Sequence, residues 1–272
     1  MTSSHTEHHV LTKVGEGGSA EIYTLGEDRV VKLFKRAVSE AIVARELRHT
    51  RLAHALGIPC PHAIDMVRVG GRLGIAFERF AGATLLDHAL KGTEQVALLA
   101  AEFCSIQEAI HRCDSSGLPP FKAAVETKIG AASSVAEGAK RLAVEALRML
   151  PDGDAFCHSD FHPRNVVMSA DGPKVLDWLD ASRGDPAADV ARTLLLIDHA
   201  VPGAVDAASR RAFRDACTRH WQTVWPDADA RIGRWRFPLA VARLAEAVDA
   251  DERHALLETI EQAAHAPHPT HE

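Results

Sequence analysis

The chain has 272 residues, 46% hydrophobic and 25% charged, enough for one large domain or for two lobes sharing a cleft. No apolar run approaches the roughly 20 residues that cross a bilayer, and the polar start from Met1 to His9 lacks the apolar core of a signal peptide. A cytoplasmic protein with no membrane partner is the expectation. Charge is unevenly placed: residues 1–149 hold 18 Lys and Arg against 17 Asp and Glu, a balance of +1, and residues 150–272 hold 13 against 20, a balance of −7. An acidic second part argues against nucleic acid as a partner and suits a cationic ligand, although a solvated acidic surface is the commoner reason for such a bias.

Cys60, Cys104, Cys113, Cys157 and Cys217 are scattered, odd in number and never spaced as CxxC, so reduced and mostly buried thiols are expected. His5, His8 and His9 at the start, and His265, His268 and His271 at the end, lie in polar tails and read as solvated.

The first eighty residues read as strands with one helix inserted. Val10–Gly15 and Ala20–Leu25 flank a glycine cluster, and Gly26-Glu27-Asp28 turns the chain into the apolar strand Arg29–Phe34. Ser39 is placed to cap a helix running to about Leu56, ended by Gly57 and Pro59. Strands His62–Val69 and Arg72–Phe80 follow, joined by the hairpin turn Gly70-Gly71. After Gly82 the apolar period becomes helical, over Thr93–His111, Ala123–Leu150, Pro186–His199, Ala207–Trp225 and Arg236–Ala264. An irregular stretch, Pro151–Gly184, interrupts the helices and contains short strands at Val166–Met168 and Lys174–Leu176. The expected fold is α+β, with a small β-rich lobe over residues 1–80 and a larger helical lobe over residues 81–272.

Three groups of residues carry chemistry. In His158-Ser159-Asp160-Phe161-His162-Pro163-Arg164-Asn165, an Asp is followed five positions later by an Asn, in a loop that feeds a hairpin. Asp177 ends that hairpin. Phosphoryl transfer needs one group to take the proton of the attacking hydroxyl and hard oxygen ligands for Mg²⁺. Asp160 fits the first role, Asn165 and Asp177 the second, and His158 reads as structural. A second group, Gly15-Glu16-Gly17-Gly18-Ser19, lies between two predicted strands and allows backbone N–H groups to approach phosphates, although Ala20 stands where GxGxxG has its third glycine. The third is Lys32. A lysine within an apolar strand requires a partner. Glu40 sits in a first helical turn, where the helix dipole explains an acid, whereas Glu46 lies mid-helix; Glu46 is the expected partner.

The segment Cys157 to Val167, with Val175-Leu176-Asp177-Trp178-Leu179-Asp180-Ala181 and Gly184-Asp185-Pro186-Ala187-Ala188-Asp189, resembles the aminoglycoside phosphotransferase and choline kinase-like family. Gly15–Lys32 and Phe77–Gly82 are similar to it as well. The resemblance implies a protein-kinase-like bilobal fold and transfer of the γ-phosphate of ATP to a small-molecule hydroxyl. It further implies that Asp160 is the base and that Asn165 and Asp177 bind Mg²⁺. Lys32, supported by Glu46, would contact the nucleotide phosphates beneath Gly15, Gly17, Gly18 and Ser19, and the backbone from Glu78 to Phe80 would meet adenine. Ser159 stands where most relatives have glycine, a small change expected to be harmless. A protein kinase is the first alternative, but Asp177 is followed almost directly by Gly184-Asp185-Pro186 and a helix, which leaves little room for an activation segment. A non-catalytic nucleotide-binding module is the second, although all four of Lys32, Asp160, Asn165 and Asp177 are present. The acids Glu246, Asp249, Asp251 and Glu252 near a helix junction are candidates for attracting a cationic acceptor.

Overall fold

The structure, a computed structural model, describes residues 11–35, 38–89, 95–199, 206–246 and 248–265. The chain divides into two compact units. One holds the described residues through Ala83 together with Val166–Leu179; the other holds the described residues of Thr84–Asn165 and from Asp180 onward. Where the sequence suggests a single boundary after residue 80, the first unit also takes in the Val166–Leu179 hairpin.

In the first unit, β1 (Lys13–Glu16), β2 (Ala20–Thr24), β3 (Arg29–Phe34), β4 (Ala63–Val69) and β5 (Arg72–Glu78) form an antiparallel sheet in the order β1-β2-β3-β5-β4. The β4–β5 turn uses Gly70 and Gly71 at φ 56° and 80°, the double left-handed geometry of a two-residue hairpin. Helix α1 (Glu40–Ala55) packs Val43 and Leu47 with Phe34, Ala63, Ile75 and Phe77 of the sheet in one buried cluster. Ser39 occupies the N-cap position with extended backbone, but its hydroxyl makes no capping bond; its carbonyl accepts the Val43 N–H instead. Gly57, at φ 77°, ends the helix in the left-handed conformation that glycine adopts without strain. Strands β8 (Val166–Ser169) and β9 (Gly172–Val175) form a hairpin, in a sheet of order β6-β8-β9 whose third member is β6 (Gly82–Thr84). The Val175 N–H donates to the Pro59 carbonyl at 2.7 Å.

The second unit contains α2 (Leu85–Ala89), α3 (Val96–His111), α4 (Phe121–Ala131), α5 (Glu137–Met149), α6 (Pro186–His199), α7 (Ala207–Val224), α8 (Ala228–Arg243) and α9 (Ala250–His265), with a small pair β7 (Ala155–Cys157) and β10 (Ser182–Gly184). Helix α6 begins as its sequence dictates: Asp185 accepts the Ala187 N–H at 3.0 Å as a cap, and Pro186 takes the first helical position, where its missing N–H costs nothing. Every residue from Ala187 to Ile197 is buried, so α6 is the central helix of this unit. The long helix expected over Ala123–Leu150 is two, α4 and α5. The intervening Ala132 and Val135 are buried and preserve the apolar period, so the break leaves no hydropathic trace. The run Arg236–Ala264 is likewise divided between α8, which starts earlier and contains Pro238, and α9.

The thiols are free; Cys60, Cys104, Cys157 and Cys217 are buried and Cys113 is half-buried. Among the described residues no helix is long and apolar enough to cross a membrane. His5, His8, His9, His268 and His271 lie outside the described residues, as does Val10 of the first expected strand.

The start of α6 depends on a close approach. A Cβ placed on Gly184 would lie 2.6 Å from the Phe121 Cβ and 3.1 Å from its Cγ. Gly184→Ala should therefore lower the unfolding free energy by about 1–3 kcal/mol, the usual range for overpacking. Urea denaturation checks this, and an unchanged midpoint would contradict the packing described.

Candidate active site

In the first unit Lys32 projects from β3 and Glu46 from α1. The Lys32 Nζ lies 2.7 Å from Glu46 Oε1 and 3.1 Å from Asp177 Oδ1, with both the lysine and Glu46 largely withdrawn from solvent. Burial disfavours the ammonium, but the carboxylates of Asp177 and Glu46 outweigh it and hold Lys32 well above its ordinary pKa. It stays a cation across the physiological range. Glu40, the other candidate partner, is exposed and pairs with Arg68 at 3.0 Å.

Asp177 itself is at φ 64°, a conformation that side chains disfavour. The residue after it is anchored on both sides. Trp178 is fully buried, its indole N–H donates to the Val175 carbonyl at 3.0 Å, and its own carbonyl accepts from His49 Nδ1 at 3.2 Å. Burial, the largest influence on His49, pushes its pKa down, consistent with a neutral ring that donates through Nδ1.

The glycine loop between β1 and β2 closes with the Gly17 N–H on the Ala20 carbonyl at 2.8 Å, and the Ser19 carbonyl accepts from Lys35 N–H at 2.9 Å. Gly15, Gly17 and Gly18 have no positive φ, and added Cβ atoms there would meet ordinary contacts or open space. The turn does not require glycine for its own folding. Glu78 ends β5 with its N–H on the His62 carbonyl; Arg79 N–H reaches the Asp28 carbonyl at 2.8 Å, and Phe80 follows half-buried.

In the second unit the loop from His158 to Asn165 is fixed atom by atom. Ser159 is left-handed, at φ 66°. Its N–H donates to Asp189 Oδ1 at 2.6 Å, its carbonyl accepts from Arg192 Nε at 2.6 Å, and its hydroxyl lies 2.7 Å from that of Ser182. Asp189 is wholly buried, and its second oxygen accepts from Gln107 Nε2 at 3.0 Å and lies 2.9 Å from His111 Nε2. Burial alone would raise the Asp189 pKa, but hydrogen bonds and charge, chiefly from His111, bring it below the usual carboxylate value. The Asp160 N–H points to His158 Nδ1 at 3.2 Å, and buried Phe161 stacks on Phe103 at 4.3 Å. His158 thus serves the loop rather than facing solvent.

Asp160 remains reachable, with 29% of its side chain exposed. Asn165 donates through Nδ2 to the Asp160 carbonyl at 3.0 Å and to Oδ2 at 3.4 Å. Arg192 Nη2 lies 3.7 Å from Oδ1, and His162 Nε2 lies 3.7 Å from Oδ2. Arg192 is in turn held by Glu246, whose two oxygens stand 2.7 and 2.9 Å from Nη2. Glu246 also takes Lys128 at 2.8 Å and Arg243, and Lys128 reaches Asp180 at 2.8 Å. Burial would raise the Glu246 pKa, but the three cations overcome it and hold the group far below the ordinary range.

That network accounts for two of the four acids expected to draw in a cation. Glu246 is saturated by the chain's own Arg192, Lys128 and Arg243, and Glu252 is buried against Arg243. Asp249 and Asp251 are exposed, and Asp249 accepts the Glu252 N–H at 2.8 Å. Sequence reasoning also missed Arg192. The signal was present: a single arginine within the apolar run Ala187–Ile197 needs a partner for the same reason that Lys32 does. That partner, Glu246, is 54 residues away.

No cluster of three or more His, Cys, Asp or Glu side chains able to hold a metal occurs among the described residues. Asn165 of the second unit offers an amide oxygen and Asp177 of the first a carboxylate, each by itself a hard donor of the kind Mg²⁺ takes alongside several waters. The bonds from Asn165 Nδ2 to Asp160 orient that amide, and its oxygen takes no part in them.

A β-rich N-terminal sheet carrying a buried lysine–glutamate pair, followed by a helical part with the Asp160–Asn165 loop, defines a phosphotransferase of kinase-like fold. Residues 10–228 match the model of the APH family, the phosphotransferase enzyme family, and the chain belongs to it. It is a small-molecule kinase. Its fold is similar to that of a thermostable mutant of aminoglycoside phosphotransferase APH(4)-Ia in ternary complex with ADP and hygromycin B, with a TM-score of 0.69, 15% identity, and 95% of each chain covered. It is similar as well to aminoglycoside-3'-phosphotransferase of type VIII, at TM-score 0.60 and 18% identity over 86% of this chain and 92% of that one. The GDP and kanamycin complex of APH(2")-IIia gives a TM-score of 0.57 at 15% identity, covering 94% of each. A comparison with curated proteins gives no match.

The left-handed Ser159 makes a test of the loop. Ser159→Ala keeps the backbone strain and leaves the Ser182 hydroxyl without its partner, whereas Ser159→Gly removes the strain. Urea denaturation should find the glycine variant more stable than the alanine variant by about 1 kcal/mol. Equal stabilities would mean that φ at this position does not limit the fold.

Proposed function

We propose that this enzyme moves the γ-phosphate of ATP to a hydroxyl of a small molecule, with Asp160 accepting the hydroxyl proton. The observation that carries the reading is Asp160 itself: a reachable carboxylate that follows Ser159, a residue bonded at all three of its polar atoms, and whose oxygens lie beside the Asn165 amide and Arg192. Such fixation supplies the orientation on which phosphoryl transfer depends. As the acceptor oxygen bonds to the γ-phosphorus, its proton passes to Asp160. The bond from that phosphorus to the β–γ bridging oxygen breaks, and ADP leaves.

The other roles follow from the chemistry of each group. Lys32, kept cationic by Glu46, binds nucleotide phosphates. Gly15, Gly17, Gly18 and Ser19 let backbone N–H groups approach those phosphates, and the lack of any folding need for these glycines supports a ligand as their reason. The backbone at Glu78 and Phe80 takes the adenine. Asn165 and Asp177 hold Mg²⁺, which when bound neutralises phosphate charge. The structures of the same fold hold hygromycin B and kanamycin. A hydroxyl-rich, cationic acceptor of that class accords with the −7 balance of residues 150–272 and is the class to test first.

Asp160→Asn should lower kcat about 10²- to 10⁴-fold, the usual cost of losing a general base, while Mg²⁺-dependent ATP affinity stays within about twofold. Steady-state kinetics with calorimetric ATP binding measure both. Turnover within about a factor of two of the wild type rules out Asp160 as the base.

A further inference from the structure

A fully buried arginine is costly to desolvate and persists where its donors are all put to use. Arg192 is 5% exposed and spends its fork on two tasks. Nε donates to the Ser159 carbonyl at 2.6 Å, the peptide that enters Asp160, and Nη2 stands 3.7 Å from Asp160 Oδ1 while hydrogen-bonding both oxygens of Glu246. We propose that Arg192 is a positioning residue for Asp160 and that Glu246, just beyond α8, is the buttress that aims it.

The geometry distinguishes this from simple charge neutralisation. Glu246 has Lys128 at 2.8 Å and Arg243 in contact, so its charge is compensated without Arg192. Asp189 already holds the Ser159 N–H, which belongs to the peptide that enters Ser159. Arg192 holds the carbonyl of the next peptide, the one that enters Asp160. The two residues are three apart on α6, on one helix face, so a single rigid element grips the two peptides that flank Ser159, one by its donor and the next by its acceptor. The second contact of the guanidinium, toward Oδ1, is long for a hydrogen bond; it orients the carboxylate by charge and leaves Oδ1 able to accept a proton. Arg192 takes no proton and touches neither acceptor nor nucleotide in this scheme. A lysine in its place keeps the charge but cannot reach the Ser159 carbonyl, Glu246 and the Asp160 side together through one planar fork.

The inference rests on Asp160 as the base, and the experiment separates the two. With ATP, Mg²⁺ and the best acceptor, kcat and both KM values are measured for Arg192→Lys, Glu246→Gln and Asp160→Asn, each at the same interval below its own melting temperature. Misplacement of a reacting group by about 1 Å can cost on the order of 10²-fold. Arg192→Lys should therefore lose at least about 10-fold in kcat with both KM values within about twofold, and Glu246→Gln should lose less, in the same pattern. Added guanidinium should restore part of the kcat of Arg192→Ala. A folded Arg192→Lys with kcat within about twofold of the wild type overturns the proposal, as does a loss that appears equally in KM. If the Arg192 variants do not fold, Glu246→Gln decides: an unchanged kcat overturns the proposal, and a selective fall in kcat supports it. An inactive Asp160→Asn beside a fully active Arg192→Lys removes Arg192 alone, whereas an active Asp160→Asn removes the base assignment first.

Discussion

One buried carboxylate organises the loop that carries Asp160. Asp189 sits on the central helix α6 with no exposure to solvent, and a lone charge there would be prohibitively costly. Gln107 and His111 of α3 compensate it from one side, and the Ser159 N–H does so from the other. The interaction ties three segments that are distant in sequence, and it holds Ser159 in a left-handed conformation that its own side chain disfavours. Asp160 emerges next in the chain, and its direction is inherited from that constraint. The Ser182 hydroxyl and the Arg192 guanidinium act on the same residue, so the strain is met by bonds at all three of its polar atoms.

The first unit solves a similar problem with a cation. Lys32 stands in a strand whose neighbours are apolar, and Glu46 on the adjacent helix keeps it charged. Its second neighbour, Asp177, is also left-handed, at the exit of the β9 strand, where Trp178 is pinned by His49 and Val175. In both units a strained residue beside the chemistry is retained because buried polar groups over-determine it. Both strained residues, Ser159 and Asp177, lie next to or at positions for which a chemical role is proposed.

Much of this was legible in the sequence where a rule of local chemistry applied. A lysine in an apolar strand implied a partner, and the helical spacing pointed to Glu46. Pro186 after Asp185 marked the start of α6, which the structure describes as far as His199. What escaped was non-local or silent in hydropathy. The corner between α4 and α5 is made of buried Ala132 and Val135, which look helical, and β7 and β10 are three residues each, too short to show an alternation. Glu246 looked like a surface acid because its partners Arg192, Lys128 and Arg243 come from three helices that only folding brings together. Ser159 looked like a harmless replacement for glycine; its positive φ explains why glycine suits the position and why a serine needs its three bonds there.

The central claim is that the Asp160 loop serves transfer of phosphate to a small-molecule hydroxyl. Phosphorus NMR of the products formed from ATP, Mg²⁺ and a panel of hydroxyl-bearing acceptors tests it most directly. The account predicts a new phosphomonoester resonance, coupled to the proton of the acceptor's carbinol carbon and growing in step with ADP. Inorganic phosphate as the sole product, or phosphate carried to nitrogen or to protein side chains instead, would contradict it.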